Sequence, residues 1–181
     1  MEELPVPPVG MVLLANAEKG SPFERTVAVL IHRRDTHATG LILNQPLRLM
    51  LSDFEKNASA ASEKIPVYCG GSLQPTALLI TGLEFDADRH RLHWHFDLDP
   101  LRLPQCMEEH PKMQFRAYCG HLTWDDDQLI AEIKDRRWLP IPQPFEPAFV
   151  LDQPCLWETL MMRFYPFALD EPYMPEDPQR N

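Results

Sequence analysis

No apolar run in this chain approaches the roughly 20 residues a helix needs to cross a bilayer. The acidic start, Met1-Glu2-Glu3-Leu4-Pro5, lacks the basic flank and apolar stretch of a secretion signal. Cations are also scarce, 17 Lys and Arg against 27 Asp and Glu, for a formal charge of −10. A mean field of that sign repels phosphate backbones and anionic headgroups, so it disfavours direct nucleic-acid binding and a membrane partner. Arg33-Arg34 and residues 134–137 are the two local exceptions. Arg136-Arg137 also suit the C-terminal end of a helix, where cations complement the dipole. The four cysteines (Cys69, Cys106, Cys119, Cys155) have neither the density of a disulfide scaffold nor the paired spacing of a zinc ribbon. They read as reduced thiols of a cytoplasmic protein. There is no GxGxxG, no P-loop and no complete catalytic set, and no cofactor is implied.

What is present suits one folded body. A chain of 181 residues buries roughly 70% of its unfolded surface, and 44% hydrophobic residues are enough for a core. The 19 prolines are about twice the ordinary share of roughly 5%, which predicts many short elements. Residues 1–9 and 166–181, rich in Pro and acid, read as arms around a domain at 10–165.

Within that domain, strands are expected at 11–15, 26–32 and 39–43, followed by a break at Asn44-Gln45-Pro46. A short helix at 51–57 and a flexible Ala/Ser loop at 57–64 come next. Further strands are expected at 67–69, 77–81, 91–96 and 114–119, with a helix over 100–109. Four prolines in 140–147 forbid a central strand there. A strand at 149–151 and a helix over 154–164 close the domain.

The segment from Tyr118 to Ile133 concentrates the chemistry. It reads as strand end, Gly120 turn, buried Trp124 and a helix capped by Asp125 or Thr123, with Gln128 or Asp126 completing a capping box. Cys119 and His121 are spaced as a nucleophile pair if the strand runs on and they share a face. Asp125-Asp126-Asp127 can hold a hard cation or serve the helix dipole. His93 and His95 point the same way on a strand, and with His90 they offer metal ligands or a solvated face. Gly70-Gly71 can cradle an anion or permit a close backbone approach. Asn44 can bind a ligand or staple its own turn. Trp124, Trp138 and Trp157 can line a pocket or fill the core. The tripeptide Tyr-Cys-Gly occurs twice, at 68–70 and 118–120.

Taken in order, Gly10-Met11-Val12-Leu13-Leu14-Ala15, Phe23-Glu24-Arg25-Thr26-Val27, Gly40-Leu41-Ile42-Leu43-Asn44-Gln45-Pro46, Gly70-Gly71 and the 118–138 block resemble the YqgE/AlgH family. The resemblance covers about residues 10–165. It implies a bacterial protein with a single α/β (α+β) domain, built on a strongly bent, mixed or antiparallel, partly barrel-like sheet flanked by short helices. One branch of the family is named for regulating alginate synthesis genes, which makes a DNA-linked regulator one reading. Ser72-Leu73 after Gly-Gly, the Cys119-Gly120-His121 run and the triple Asp depart from the family pattern.

The matched positions are Gly, Asn, Trp and Gln, residues that build turns and surfaces. The expected function is therefore a non-catalytic protein that binds a partner protein or small ligand near Asn44, Gly70, Gly71, Gly120, His121, Trp124 and Gln128. A hydrolase using the Cys119/His121 pair or a histidine-bound metal is the alternative.

Overall fold

The computed structural model describes residues 7–16, 19–55, 59–86, 88, 91–141 and 155–169. They form a mixed α/β domain around one open nine-stranded sheet. The strands are β1 (Val12–Ala15), β2 (Val27–Arg34), β3 (His37–Ile42), β4 (Pro46–Met50), β5 (Pro66–Cys69), β6 (Leu73–Asp86), β7 (Arg91–His95), β8 (Gln114–Asp125) and β9 (Trp138–Ile141). Their order is β4-β5-β8-β3-β2-β1-β9, with β6 on β8 and β7 on β6. All pairings are antiparallel except β5 with β8.

Three helices each cover one apolar cluster. Helix α3 (Leu156–Phe164) places Leu156, Trp157, Leu160 and Met161 against Val12, Leu14, Val27 and Val29. Helix α2 (Asp126–Lys134) seats Leu129 among Leu13, Ala28, Leu30 and Trp124. Helix α1 (Leu103–Glu109) adds Leu103 to Ile65, Val67, Phe115 and Ala117. Strand β1 lies between the first two clusters, which is why Val12-Leu13-Leu14-Ala15 is an unbroken apolar run, buried at every position. Each fully buried Leu or Val contributes roughly 1.5–3 kcal/mol of transfer free energy.

Strand β8 feeds all three clusters. Tyr118 enters the first, Leu122 and Trp124 the second, and Phe115, Ala117 and Cys119 the third. Strict alternation would not allow this, because Tyr118 shares parity with Leu122 and Trp124 yet enters a cluster on the opposite face of β1 from theirs. The slip falls at Gly120, whose φ of +72° is the left-handed conformation found at bulges.

Several sequence expectations need correction. The strand does not end at Cys119 but runs through Gly120 to Asp125, because a bulge absorbs the glycine. Expected over 51–57, a helix forms only as a 3-10 turn at Leu51–Phe54, and that expected at 100–109 splits into a 3-10 turn, Pro100–Arg102, and α1. The break at Pro46 is instead the first residue of β4, an edge position where its missing N–H costs no ladder bond. Pro140 lies inside β9, opposite Leu13, but β9 is the strand at the other end of the order and not a central one, as its proline requires. Strand β6 extends well beyond the expected 77–81. Pro166–Leu169 forms a 3-10 turn where an extended arm was expected. The strand expected at 149–151, His90 and the outer parts of both arms lie outside the described residues.

Candidate functional site

The junction of β8 and α2 builds the candidate site. Asp125 takes the N-cap position of α2 in extended conformation, but its side chain makes no capping hydrogen bond, so the expected capping box does not form. Its Oδ1 instead lies 2.8 Å from His37 Nε2 on the neighbouring strand. Asp126 pairs with the half-buried Arg33. Two of the three aspartates thus fasten the β2–β3 hairpin to the helix start, where acidic groups also complement the dipole.

Downstream, one carboxylate organises the aromatic wall. Glu132 Oε2 accepts the indole N–H of Trp124 at 3.1 Å and that of Trp138 at 3.0 Å. Its Oε1 accepts from Gln128 Nε2 at 2.9 Å, one helical turn earlier. The two indoles meet edge to face, 5.6 Å apart at 86°. Phe23 tilts against Trp138 at 5.9 Å. Glycine at position 40 is what lets the Trp124 ring lie flat on β3.

Above this wall opens a cleft of about 690 Å³. Trp124, Trp138, Phe23 and Leu73 give it apolar surface, while Asn16, Gln128, Glu132 and Arg137 give it polar edges. Asn16 is fixed by its own backbone, whose N–H donates to the Arg137 carbonyl at 2.8 Å. Its Nδ2 donates to the Arg136 carbonyl at 3.1 Å. The Arg137 side chain is largely exposed, and its guanidinium stands 3.9 Å from the Asp135 carboxylate.

Among the expected site residues, Trp124 and Gln128 reach this cleft together. Asn44 does not. Its Oδ1 accepts the Val27 N–H at 2.9 Å and its Nδ2 donates to the Arg25 carbonyl at 2.7 Å, which staples a turn where Arg25 holds φ +53°. Gly70, Gly71 and Gly120 lie behind the wall and touch through their backbones. A Cβ on Gly70 would fall 2.3 Å from the Gly120 carbonyl oxygen, and one on Gly71 2.2 Å from the His121 carbonyl carbon. The Gly70 N–H is engaged by the Cys119 carbonyl at 2.7 Å. The glycine pair therefore serves close approach, and it delivers Ser72 and Leu73 to the cleft.

The Cys119/His121 pair does not assemble. Cys119 packs with Ala117 and Phe115, and the slip at Gly120 puts His121 in the opposite phase. Burial, with the neighbouring Cys69 second, pushes the Cys119 thiol up, away from the low range of an activated catalytic thiolate. His93 lies 3.8 Å from Asp86, and His110 3.6 Å from Glu84. Among the described residues no group of three or more His, Cys, Asp or Glu is placed to hold a metal ion. Trp124, Trp138 and Trp157 are all buried; Trp157 belongs to the core, while Trp124 and Trp138 also edge the cleft.

Asn16 and Glu132 were not singled out in the sequence; Phe23 entered only as part of a family motif, and Arg137 only as a basic residue suited to a helix end. Glu132 carried a legible signal, since it follows Gln128 by four on a predicted helix and sits between two tryptophans. Phe23 and Asn16 reach the cleft only through the pairing of β1 with β9 and the turn before β2.

Comparison with known proteins places the chain in a family. Residues 12–166 match the family model described as AlgH-like, DUF179. A UPF0301 protein of Desulforapulum autotrophicum is 30% identical over 158 residues, covering 78% of this chain and 79% of that protein. A UPF0301 protein of Bacteroides fragilis is 31% identical over 122 residues, 65% of this chain and 62% of the relative. Among solved structures, the AlgH protein of Pseudomonas aeruginosa superposes with a TM-score of 0.61 at 21% identity, over 86% of this chain and 87% of that one. Protein DIP2367 of Corynebacterium diphtheriae gives 0.65 at 23% identity, over 90% of each. At these identities the two structures speak for the fold. No helix among the described residues is long and apolar enough to cross a membrane.

Proposed function

We propose that this chain, which belongs to the AlgH-like family, is a non-catalytic binding or regulatory protein whose cleft receives an aromatic or apolar group of a partner protein or small ligand. The observation that carries this is the Glu132 clamp. A carboxylate that accepts from two indoles and an amide has three of its roughly four acceptor positions holding a wall in place. That is the arrangement of a preorganised surface. Trp124, Trp138 and Phe23 supply rigid contact area, and Asn16 and Arg137 supply polar groups that orient an occupant.

Four free cysteines suit a reducing cytoplasm. A regulatory role in gene expression would act through a protein partner, because a charge of −10 opposes direct contact with DNA. Intrinsic fluorescence tests the reading with two libraries, aromatic fragments and aromatic-containing peptides. Saturable quenching by a member of either, lost in Trp138→Ala while the fold is retained, supports it. Turnover on a broad substrate panel with no saturable ligand in either library overturns it.

A further inference from the structure

The repeated tripeptide Tyr-Cys-Gly is brought into register by the fold. Strands β5 and β8 run parallel, with Tyr68 opposite Tyr118 and Cys69 opposite Cys119. The two tyrosine rings lie 5.7 Å apart on one face. On the other face the preceding pair, Val67 and Ala117, packs in one apolar cluster, and residues two apart on a strand share a face. Cys119 stands at the end of that cluster, and Cys69 lies opposite it in register, its Sγ 3.9 Å from the Gly71 carbonyl oxygen. Gly70 and Gly120 follow them with their backbones in contact, which fixes the two strands against each other at this point.

We propose that Cys69 and Cys119 form a two-thiol redox site that closes to an intrachain disulfide under hydrogen peroxide. Neighbouring strands are about 4.8 Å apart, inside the window of roughly 4.4–6.8 Å between Cα atoms that a disulfide spans. Exposure divides the roles. Cys69 is half-buried and meets the oxidant; Cys119 is 8% exposed and waits beside it. In the first step the Cys69 sulfur attacks peroxide, the O–O bond breaks, and sulfenic acid and water form. In the second, the Cys119 sulfur attacks that sulfenic sulfur, the S–O bond breaks, and the disulfide and a second water form. One peroxide is reduced and two thiols are oxidised. The pair lies outside the cleft, so it stands independently of what the cleft binds.

Trypsin separates the four cysteines into four peptides, since Lys64, Arg89, Arg102, Lys112, Arg116, Lys134, Arg137 and Arg163 lie between or beside them. Full-length protein is treated with a slight excess of peroxide, alkylated, digested and weighed. The expected product joins residues 65–89 to 117–134, with a loss of about 2 Da against the reduced chain. It persists in Cys106→Ser/Cys155→Ser and vanishes in Cys69→Ser. In Cys119→Ala, chosen because the methyl suits the apolar cluster, dimedone traps a lasting sulfenic acid at Cys69. Oxidation that goes to Cys155-linked dimers, or that carries Cys69 to sulfinic acid while Cys119 stays a thiol in the parent protein, overturns the proposal.

Discussion

Gly40 and Trp124 occupy one van der Waals space: a Cβ on Gly40 would stand 2.8 Å from Cζ3 of the indole. The tryptophan is 5% exposed and is held from the other side by Glu132. Gly40→Ala must therefore push the ring toward the cleft or shift β3 against β8. Either movement costs about 1–3 kcal/mol, as overpacking generally does. Urea unfolding should show that loss, and near-UV circular dichroism should change in the indole region. An unchanged spectrum with unchanged stability would mean that the ring does not rest on Gly40.

The Glu132 clamp makes a more selective prediction. Removing it with Glu132→Ala leaves two partly buried indole N–H groups without their acceptor, at a cost of about 1–3 kcal/mol. In amide spectra of the protein the indole N–H signals of Trp124 and Trp138 should move together. The Trp157 signal, whose N–H donates to the Ala15 carbonyl at 2.8 Å on the opposite face of β1, should stay in place. Movement of only one indole signal would show that the two rings do not share the carboxylate.

Much of this wall was legible in the sequence, and the reasons are local. Trp124, Gln128 and Leu129 fall on a strand-to-helix junction that a hydrophobic period and a row of aspartates announce. The long apolar run of β1 and the core spacing of α3 are equally local signals. Strands β4 and β9 were hidden because each contains a proline, and only their place at the ends of the strand order makes that harmless. Continuation of β8 through Gly120 was hidden for another reason. A left-handed glycine reads as a turn until it is known that the two glycines between β5 and β6 pack against it. The Cys119/His121 pairing depended on that same glycine, since strict alternation would place them on one face.

The glycine junction itself can be tested against a control. Gly120→Ala would set a Cβ 2.4 Å from the Gly71 carbonyl oxygen at a φ of +72°. Gly20→Ala shares the left-handed backbone, at +86°, but meets nothing within 4 Å. The control pays only the conformational cost of roughly 1–2 kcal/mol. The junction variant adds a backbone clash that side-chain movement cannot relieve, so a total above about 3 kcal/mol or failure to fold is expected. Equal stabilities for the two variants would remove the close approach as the reason for glycine there.

Asn44 offers a test of architecture against binding. Asn44→Asp keeps the acceptor for the Val27 N–H but loses the donor to the Arg25 carbonyl, whereas Asn44→Ala loses both. A graded destabilisation is expected, about 1 kcal/mol per bond, with ligand affinity at the cleft little changed in the folded protein. A large affinity loss in the alanine variant at undiminished stability would return Asn44 to the binding surface.

Tyr118 ties the core to pH. Burial pushes its phenol from the ordinary value of 10.0 up to about 12, against the opposing pull of Arg116. Between those values the unfolded chain has released the proton while the fold retains it, so stability falls as pH rises. The contribution is fully present below about pH 10 and is lost as pH passes 12. A shift of about two units corresponds to roughly 3 kcal/mol at most. Urea midpoints for the wild type should decline more steeply between pH 10 and 12 than those for Tyr118→Phe, which has no phenol to ionise. Parallel midpoint curves for the two proteins would show that the phenol ionises as readily in the fold as outside it.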